Sequence, residues 1–365
     1  AIHAMNDRPE NGRFLLCAEL CMRVIEIGDC SKDTLGTDFW LAFPQNYPAD
    51  ETNPLELCIC LTAPVIQPPF GGPATYVTAT VDIPGLNLPG WPKTVVIDDE
   101  TPFGSTQGSG RYACKKVIIP PEAELHGSDV IEDKGIHITA TSDIAAYGFS
   151  QLDYSSDSYL GLPTDCVGRN YVIPCYKNTV SAPAGLSAVN GSQFAIVATE
   201  DDTRVRILLP VDTTPHSANA VYEILLDRGQ TYQLRNVDVP GADLTGTRIM
   251  STRPVGVFGG HRFALAPDSD NFFADHMVEQ ILPLNTWGNL YIAPPLDTRD
   301  ETWYRVLAAE DNTDVTVYPT DPSITTIDGT VYFGTSSSHS LNAGEVFEFR
   351  TKSAVWVRGD QRIHV

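Results

Sequence analysis

Internal repetition constrains this chain most. Residues Leu162 to Pro174 (LPTDCVGRNYVIP) return 120 positions later as Leu282 to Pro294 (LPLNTWGNLYIAP). Ala198 to Ile207 returns 110 positions later as Ala308 to Val317, and Gly135 to Gly148 matches Gly246 to Gly259, 111 positions on. A chain that copies itself at this spacing stacks one fold unit. The repeats place a non-repeating segment at residues 1–32 and β repeats at 33–150, 151–262 and 263–365.

Each copy reads as strands divided by turn chemistry. A Gly and an aromatic or apolar stretch open it: Gly36 to Trp40, Gly168 to Tyr171, Gly288 to Tyr291. An apolar strand follows at Leu55 to Leu61, Phe194 to Ala198 and Tyr304 to Ala308. Next come the acidic turns Glu200-Asp201-Asp202-Thr203 and Glu310-Asp311-Asn312-Thr313, whose Asp and Asn tolerate left-handed backbone. Val205, Ile207 and Leu209 then alternate with polar residues, as do Val315, Val317 and Pro319, the period of a half-buried antiparallel strand. A closing hairpin is expected at Ile138 to Phe149, Ile249 to Phe258 and Val357 to Val365, turning at Thr141-Ser142-Asp143, Thr252-Arg253-Pro254 and Arg358-Gly359-Asp360. With 27 Pro and 28 Gly, long helices have little room. The expected fold is all-β: three tandem antiparallel β-sandwich-like pseudo-repeats of about 100–120 residues. The alternative is a propeller-like arrangement of strand blades.

A net charge of −22 argues against nucleic acid and anionic membrane surfaces, which need clustered Lys and Arg. No apolar run approaches the roughly 18 residues of a membrane span. Ala1 onward has no basic start followed by an apolar core, so the chain reads as mature or trimmed. The eight cysteines (Cys17, Cys21, Cys30, Cys58, Cys60, Cys114, Cys166 and Cys175) suit a disulfide framework in an oxidising compartment. Three precede residue 33 and five follow, both odd numbers, so full oxidation needs a bridge from the terminal segment to the body or to another chain. Cys166 and Cys175 flank a short strand and could close a local loop, whereas Cys58 and Cys60 face one side of a strand and should not pair with each other. Phe14 to Ile27 is apolar and free of Pro and Gly; it can form a short helix or a strand. As a strand it could pack on its own domain or add to a neighbouring subunit. Asn190-Gly191-Ser192 is a glycosylation sequon.

Three blocks resemble a known family. Gly36 to Asn46 (GTDFWLAFPQN), Arg253 to His261 (RPVGVFGGH) and Asp275 to Pro283 (DHMVEQILP) with Trp287-Gly288 are similar, in that order, to signatures of the IgG Fc-binding protein amino-terminal domain. The resemblance covers Gly36 to Val365 and implies a secreted mucus or extracellular-matrix protein with protein partners. It supplies no catalytic residues, and the Fc binding of one member is not carried over. The chain departs from the family in having no cysteine-rich von Willebrand modules, and it stops at Val365 as the last hairpin closes.

Each candidate site has a plainer reading beside it. Arg358-Gly359-Asp360 spells an integrin-type adhesion tripeptide at an expected hairpin tip, but Gly and Asp are also ordinary turn residues. Asp268, Asp270, Asn271 and Asp275 supply alternating oxygens that could hold Ca²⁺, yet complete no EF-hand pattern; otherwise they form a solvated acidic loop, and no cofactor is expected. His261, Asp275, His276 and Glu279 could form a metal or acid–base cluster, with His276 and Glu279 spaced for one face of a helical turn. The favoured reading is histidines hydrogen-bonded between the second and third repeats. Gly104 to Gly108 misplaces its serine for a nucleophile elbow, and Gly71-Gly72 and Gly259-Gly260 lack the Lys of a phosphate loop. The reading is therefore a non-enzymatic, secreted structural or adhesive protein assembling head to tail with itself, in contact with mucin or matrix glycoproteins. The alternative is a monomeric module that recognises a glycoprotein, glycan or receptor through loops at the repeat ends.

Overall fold

One long strand organises each repeat in the computed structural model. The structure describes residues 33–65, 74–98, 111–179, 191–237, 239–266, 274–297, 299–319, 325–327, 330–332 and 336–365. Cys17, Cys21, Cys30, Asn190, Asp268, Asp270, Asn271, the 14–27 stretch, Gly71-Gly72 and Gly104 to Gly108 lie outside the described residues.

The first repeat contains β1 (Gly36–Leu41), β2 (Glu56–Val65), β3 (Thr78–Asp82), β4 (Lys93–Val96), β5 (Arg111–Ile119), β6 (Val130–Glu132) and β7 (Ile136–Leu152), followed by β8 (Ser155–Gly161). The early half of β7 pairs with β1 and β3; its later half pairs with β2 and β8. Between the halves, Thr141, Ser142 and Asp143 are exposed and the register with β1 jumps. The strand thus bends from one layer of a sandwich into the other, enclosing Phe39, Leu41, Leu57, Ile59, Leu61, Val81, Ile138 and Ile144.

The second repeat holds β9 (Gly168–Ile173), β10 (Ser192–Ala198), β11 (Thr203–Leu208), β12 (Val221–Leu226), β13 (Thr231–Asn236) and β14 (Thr247–Ala264), followed by β15 (Asp275–Gln280). β14 repeats the bend: β9 and β11 pair with its early half, β10 and β15 with its later half. The third repeat comprises β16 (Leu290–Ala293), β17 (Thr302–Ala308), β18 (Thr313–Pro319), the short pair β19 (Thr325–Ile327) and β20 (Thr330–Tyr332), then β21 (Ser337–Leu341), β22 (Val346–Thr351), β23 (Val355–Gly359) and β24 (Ile363–His364). Here the long strand is split: β23 pairs with β16 and β18, β24 with β17. The architecture is all-β, built from three tandem antiparallel sandwich-like repeats.

The expected closing hairpins are therefore corrected. Thr141 to Asp143 and Thr252 to Pro254 are bends inside single strands, and Arg358 to Asp360 occupies the equivalent bend. Polar residues interrupt the apolar alternation there because the strand changes layers, not because it reverses. Strands also cross between repeats. β6 joins the second sheet through β13; β8 pairs back onto β7, and β15 onto β14.

Local chemistry explains the repeated motifs. The acidic turns place Asp202 and Asn312 at φ 52° and 56°, and the Thr203 and Thr313 hydroxyls donate to the carbonyls of Glu200 and Glu310, each at 2.7 Å. In Gly168-Arg169-Asn170-Tyr171 the phenol accepts from Gly168 N–H (2.7 Å) and donates to Val255 O (2.8 Å), tying β9 to the bend of β14. Tyr291 does the same between Gly288 (3.0 Å) and Ile363 (2.8 Å).

Candidate functional site

Part of the first resemblance block, Gln45 and Asn46, lies on the seam between the first two repeats. Asn46 is fully buried. Its Nδ2 donates to Ser150 Oγ and Ser155 O, both at 2.9 Å, and its backbone N–H donates to Glu124 Oε1 at 2.7 Å. Its carbonyl accepts from Arg262 Nε at 3.0 Å, a residue of the second repeat. Gln45 crosses the same seam: its N–H donates to Gln233 Oε1 (2.9 Å) and its O accepts from Gln193 Nε2 (2.8 Å). Burial pushes the Glu124 carboxyl up to about 7, against the pull of the Asn46 N–H and of Arg262, Lys134 and Arg235. Beneath, Tyr159 meets Phe258 edge to face and lies tilted against Phe43, and Ala195, Val197 and Val278 join the first repeat's core. A buried amide network of this kind favours one docking geometry, although Gln45 Oε1 and Gln193 Oε1 are left without a partner in it.

The histidines belong to this framework. His261 is buried; its Nδ1 accepts from Phe263 N–H at 2.9 Å, and its Nε2 lies 3.1 Å from Asn178 Oδ1 and 3.4 Å from Gly191 N. Burial pulls its pKa down to about 3, which keeps the ring neutral. The Nδ1 of His276 lies 3.3 Å from Arg262 O. Both rings thus sit on the paired strands β14 and β15, where Asn178, Phe263 and the Arg262 carbonyl face them. The helical spacing also fails. β15 is a strand in which His276, Val278 and Gln280 are buried together, so Glu279 points the other way. The Asp275 carboxylate accepts from Ser156 N–H (2.7 Å) and His276 N–H (2.9 Å). Beside it, Asp157 accepts from Val278 N–H at 2.7 Å, so carboxylates on each strand receive amides of the other along β8 and β15. Burial raises Asp157 and Glu279 to about 7 each. Of the four oxygen ligands proposed for Ca²⁺, only Asp275 is described. Among the described residues no group of three or more His, Cys, Asp or Glu side chains is arranged to hold a metal.

The cysteines fall into two classes. Cys175 is buried, donates to Gln193 O at 3.1 Å, and burial drives its thiol pKa upward. Cys166, at the other end of β9, donates to Asp33 O at 2.8 Å. The local Cys166–Cys175 loop is excluded: a six-residue strand spans about 20 Å, and a disulfide needs Cα atoms within about 7 Å. Cys58, Cys60 and Cys114 instead gather on one face of β2 and β5, Cys60 hydrogen-bonded to both others. Sequence parity placed Cys58 and Cys60 on one side; only the register brings Cys114 beside them.

Exposed features line the strand bends. Gly359 is buried, its N–H donating to Asn289 O at 2.9 Å. Asp314 N–H donates to the Asp360 carboxylate at 2.8 Å, and Asp360 N–H to Asp314 O at 3.1 Å. The tripeptide is therefore a pinned bend with Arg358 and Asp360 exposed, not a hairpin tip. At the matching bend of β14 a shallow open cleft is lined by Asp202, Arg204, Leu225, Thr252 and Arg253. Arg253 reaches Glu200 at 2.7 Å. Sequence reading passed over this cleft because its residues come from three separate strands and turns.

The second and third repeats are pinned differently. Val172 packs with Trp287, Leu307 and Ala309. Arg305 donates to Cys175 O and to Asp243 Oδ2 (2.8 Å), pairs with Glu348 (2.8 Å), and lies over the Tyr176 ring. Small residues recur at both seams. A Cβ on Gly36 would overlap Pro163, and one on Gly168 would reach within 2.5 Å of Pro283; Cβ atoms on Gly135 and Gly246 would lie 2.5 Å from the carbonyls of Gly229 and Gly344. No helix among the described residues is long and apolar enough to cross a membrane.

A family model described as IgGFc binding protein matches residues 157–365, more than half of the chain. The chain is similar to IgGFc-binding protein of Homo sapiens, 26% identical over 240 residues that make up 65% of this chain and 4% of that protein. It therefore spans a small part of that relative's length. With the model matching residues 157–365, which hold two of the three signature blocks, the chain belongs to the IgGFc-binding protein family.

Proposed function

We propose that this chain is a secreted, extracellular protein-binding module whose three repeats form one rigid array. The observation that carries this is the pairing of locked seams with bends that recur once per repeat and expose residues 141–143, Thr252 with Arg253, and Arg358 with Asp360. Rigid β scaffolds present recognition residues on such connections. Net charge, cysteine content and family membership support the extracellular setting. The relative's printed name refers to IgG Fc, which makes an Fc fragment one probe and a mucin glycoprotein another. Titration of the chain over each immobilised probe should give saturable binding to one. Arg253→Glu with Arg358→Glu should weaken it by about tenfold, a rim-charge effect. Binding unchanged by the double substitution would remove the bends from the surface.

Head-to-tail assembly is favoured by one observation. Gly36 and Gly168 are covered by prolines of the following segment, whereas the three atoms nearest a Cβ on Gly288 all belong to the Tyr291 ring, at 3.7–3.9 Å. Contacts of this kind propagate when they do not close. Light scattering on the unreduced chain separates the readings: mass growing with concentration supports assembly, and a constant monomer mass supports the module.

A further inference from the structure

The first repeat differs from the others in what occupies its outer face. Strand registers make the comparison: Ile59 pairs with Gly148 as Phe194 pairs with Gly259. Cys58, Cys60 and Thr62 therefore correspond to Gln193, Ala195 and Val197. On the adjoining strand, Cys114 lies opposite Thr62 and Lys116 opposite Cys60, as Thr231 and Gln233 lie opposite Val197 and Ala195. In the second repeat this face receives the repeat before it. Gln193 and Gln233 bond Gln45, Ala195 and Val197 enter the first repeat's core, and β6 pairs along β13. In the third repeat Arg305 and Leu307 hold the same positions, and both contact the second repeat. The face is thus a docking surface in two repeats out of three. In the first it carries three cysteines, with Tyr112 and Ile118 more than half exposed beyond them.

We propose that residues 1–32 of the same chain cover this face, joined to it by disulfides from Cys17, Cys21 or Cys30 to Cys58, Cys60 or Cys114. Chain order supports the occupant. The second and third repeats are each covered by the chain immediately before them, and before the first repeat stands this segment. Its Phe14 to Ile27 run is apolar and carries two of its three cysteines. Where the later repeats use a buried glutamine or an arginine as a pin, the first has thiols. A segment of this length buries less than a whole repeat, and a covalent link offsets that shortfall. Each bridge forms by exchange: two cysteine thiols give up two protons and two electrons to the disulfide of a protein oxidoreductase, which leaves as its dithiol.

The proposal rests on the extracellular reading, and the test separates the two. The full chain is expressed through the secretory pathway, collected from the medium, alkylated without reduction, digested and mapped by mass spectrometry. The expected result is a peptide linking Cys17, Cys21 or Cys30 to Cys58, Cys60 or Cys114 in a species that runs as a monomer without reductant. In C58S/C60S/C114S, trypsin should cut after Arg23 about tenfold faster than in the parent, as a released segment opens freely. Bridges confined to the three face cysteines, alkylated free thiols at all three, or links found only between two chains would each overturn the proposal. Failure to be secreted would instead count against the extracellular reading.

Discussion

At the residue scale, buried polar groups decide what these side chains do. His261 and Asn46 belong to residue types that build active sites, yet each has its hydrogen bonds taken up by the framework. Asp157, Glu279 and Glu124 have a measurable consequence. Burial raises each to about 7, so the folded chain holds these protons more tightly than the unfolded chain does. Their contribution to stability is full below about pH 4 and fades as pH rises through about 7. The melting temperature should fall between about pH 5 and pH 8 on their account. Asp157→Asn keeps an oxygen for the Val278 N–H and should flatten part of that slope, as scanning fluorimetry across the range would show. An unchanged slope would mean that Asp157 does not titrate there.

At the element scale, the bent strand is the unit of the fold. The tyrosines after Gly168 and Gly288 hold each bend to the strand beside it. Tyr171→Phe removes the donor to Val255 O and the acceptor for Gly168 N–H in a buried site. It should cost about 1–3 kcal/mol in urea denaturation. Tyr291→Phe should cost less, because Tyr291 is the less buried of the two. Equal costs would show that burial does not set the effect.

At the scale of the whole molecule, the two seams are unlike. The first and second repeats share one apolar core and a buried amide network. The third is attached through a small cluster around Val172 and Leu307, and through Arg305. Arg305→Ala strands the Asp243 and Glu348 carboxylates and should cost about 3 kcal/mol. Calorimetry should then resolve an early transition for the third repeat. A single shifted transition would show that the apolar cluster alone keeps the seam cooperative.

The repeats, the strand alternation at Val205, Ile207 and Leu209, and the acidic turns at Glu200 and Glu310 were readable from sequence by itself. These are local properties, set by period-two burial and by which residues tolerate left-handed backbone. Tertiary structure decided the partners. Thr252 to Pro254 looks like a turn because polarity interrupts the alternation, and only the pairing of β14 with four other strands shows a bend. His276 and Glu279 suit a helix by spacing and are parted by a strand. Cys58 and Cys60 meet Cys114, 54 positions after Cys60, through the register between two strands. Register depends on contacts across the whole chain, which no short window contains.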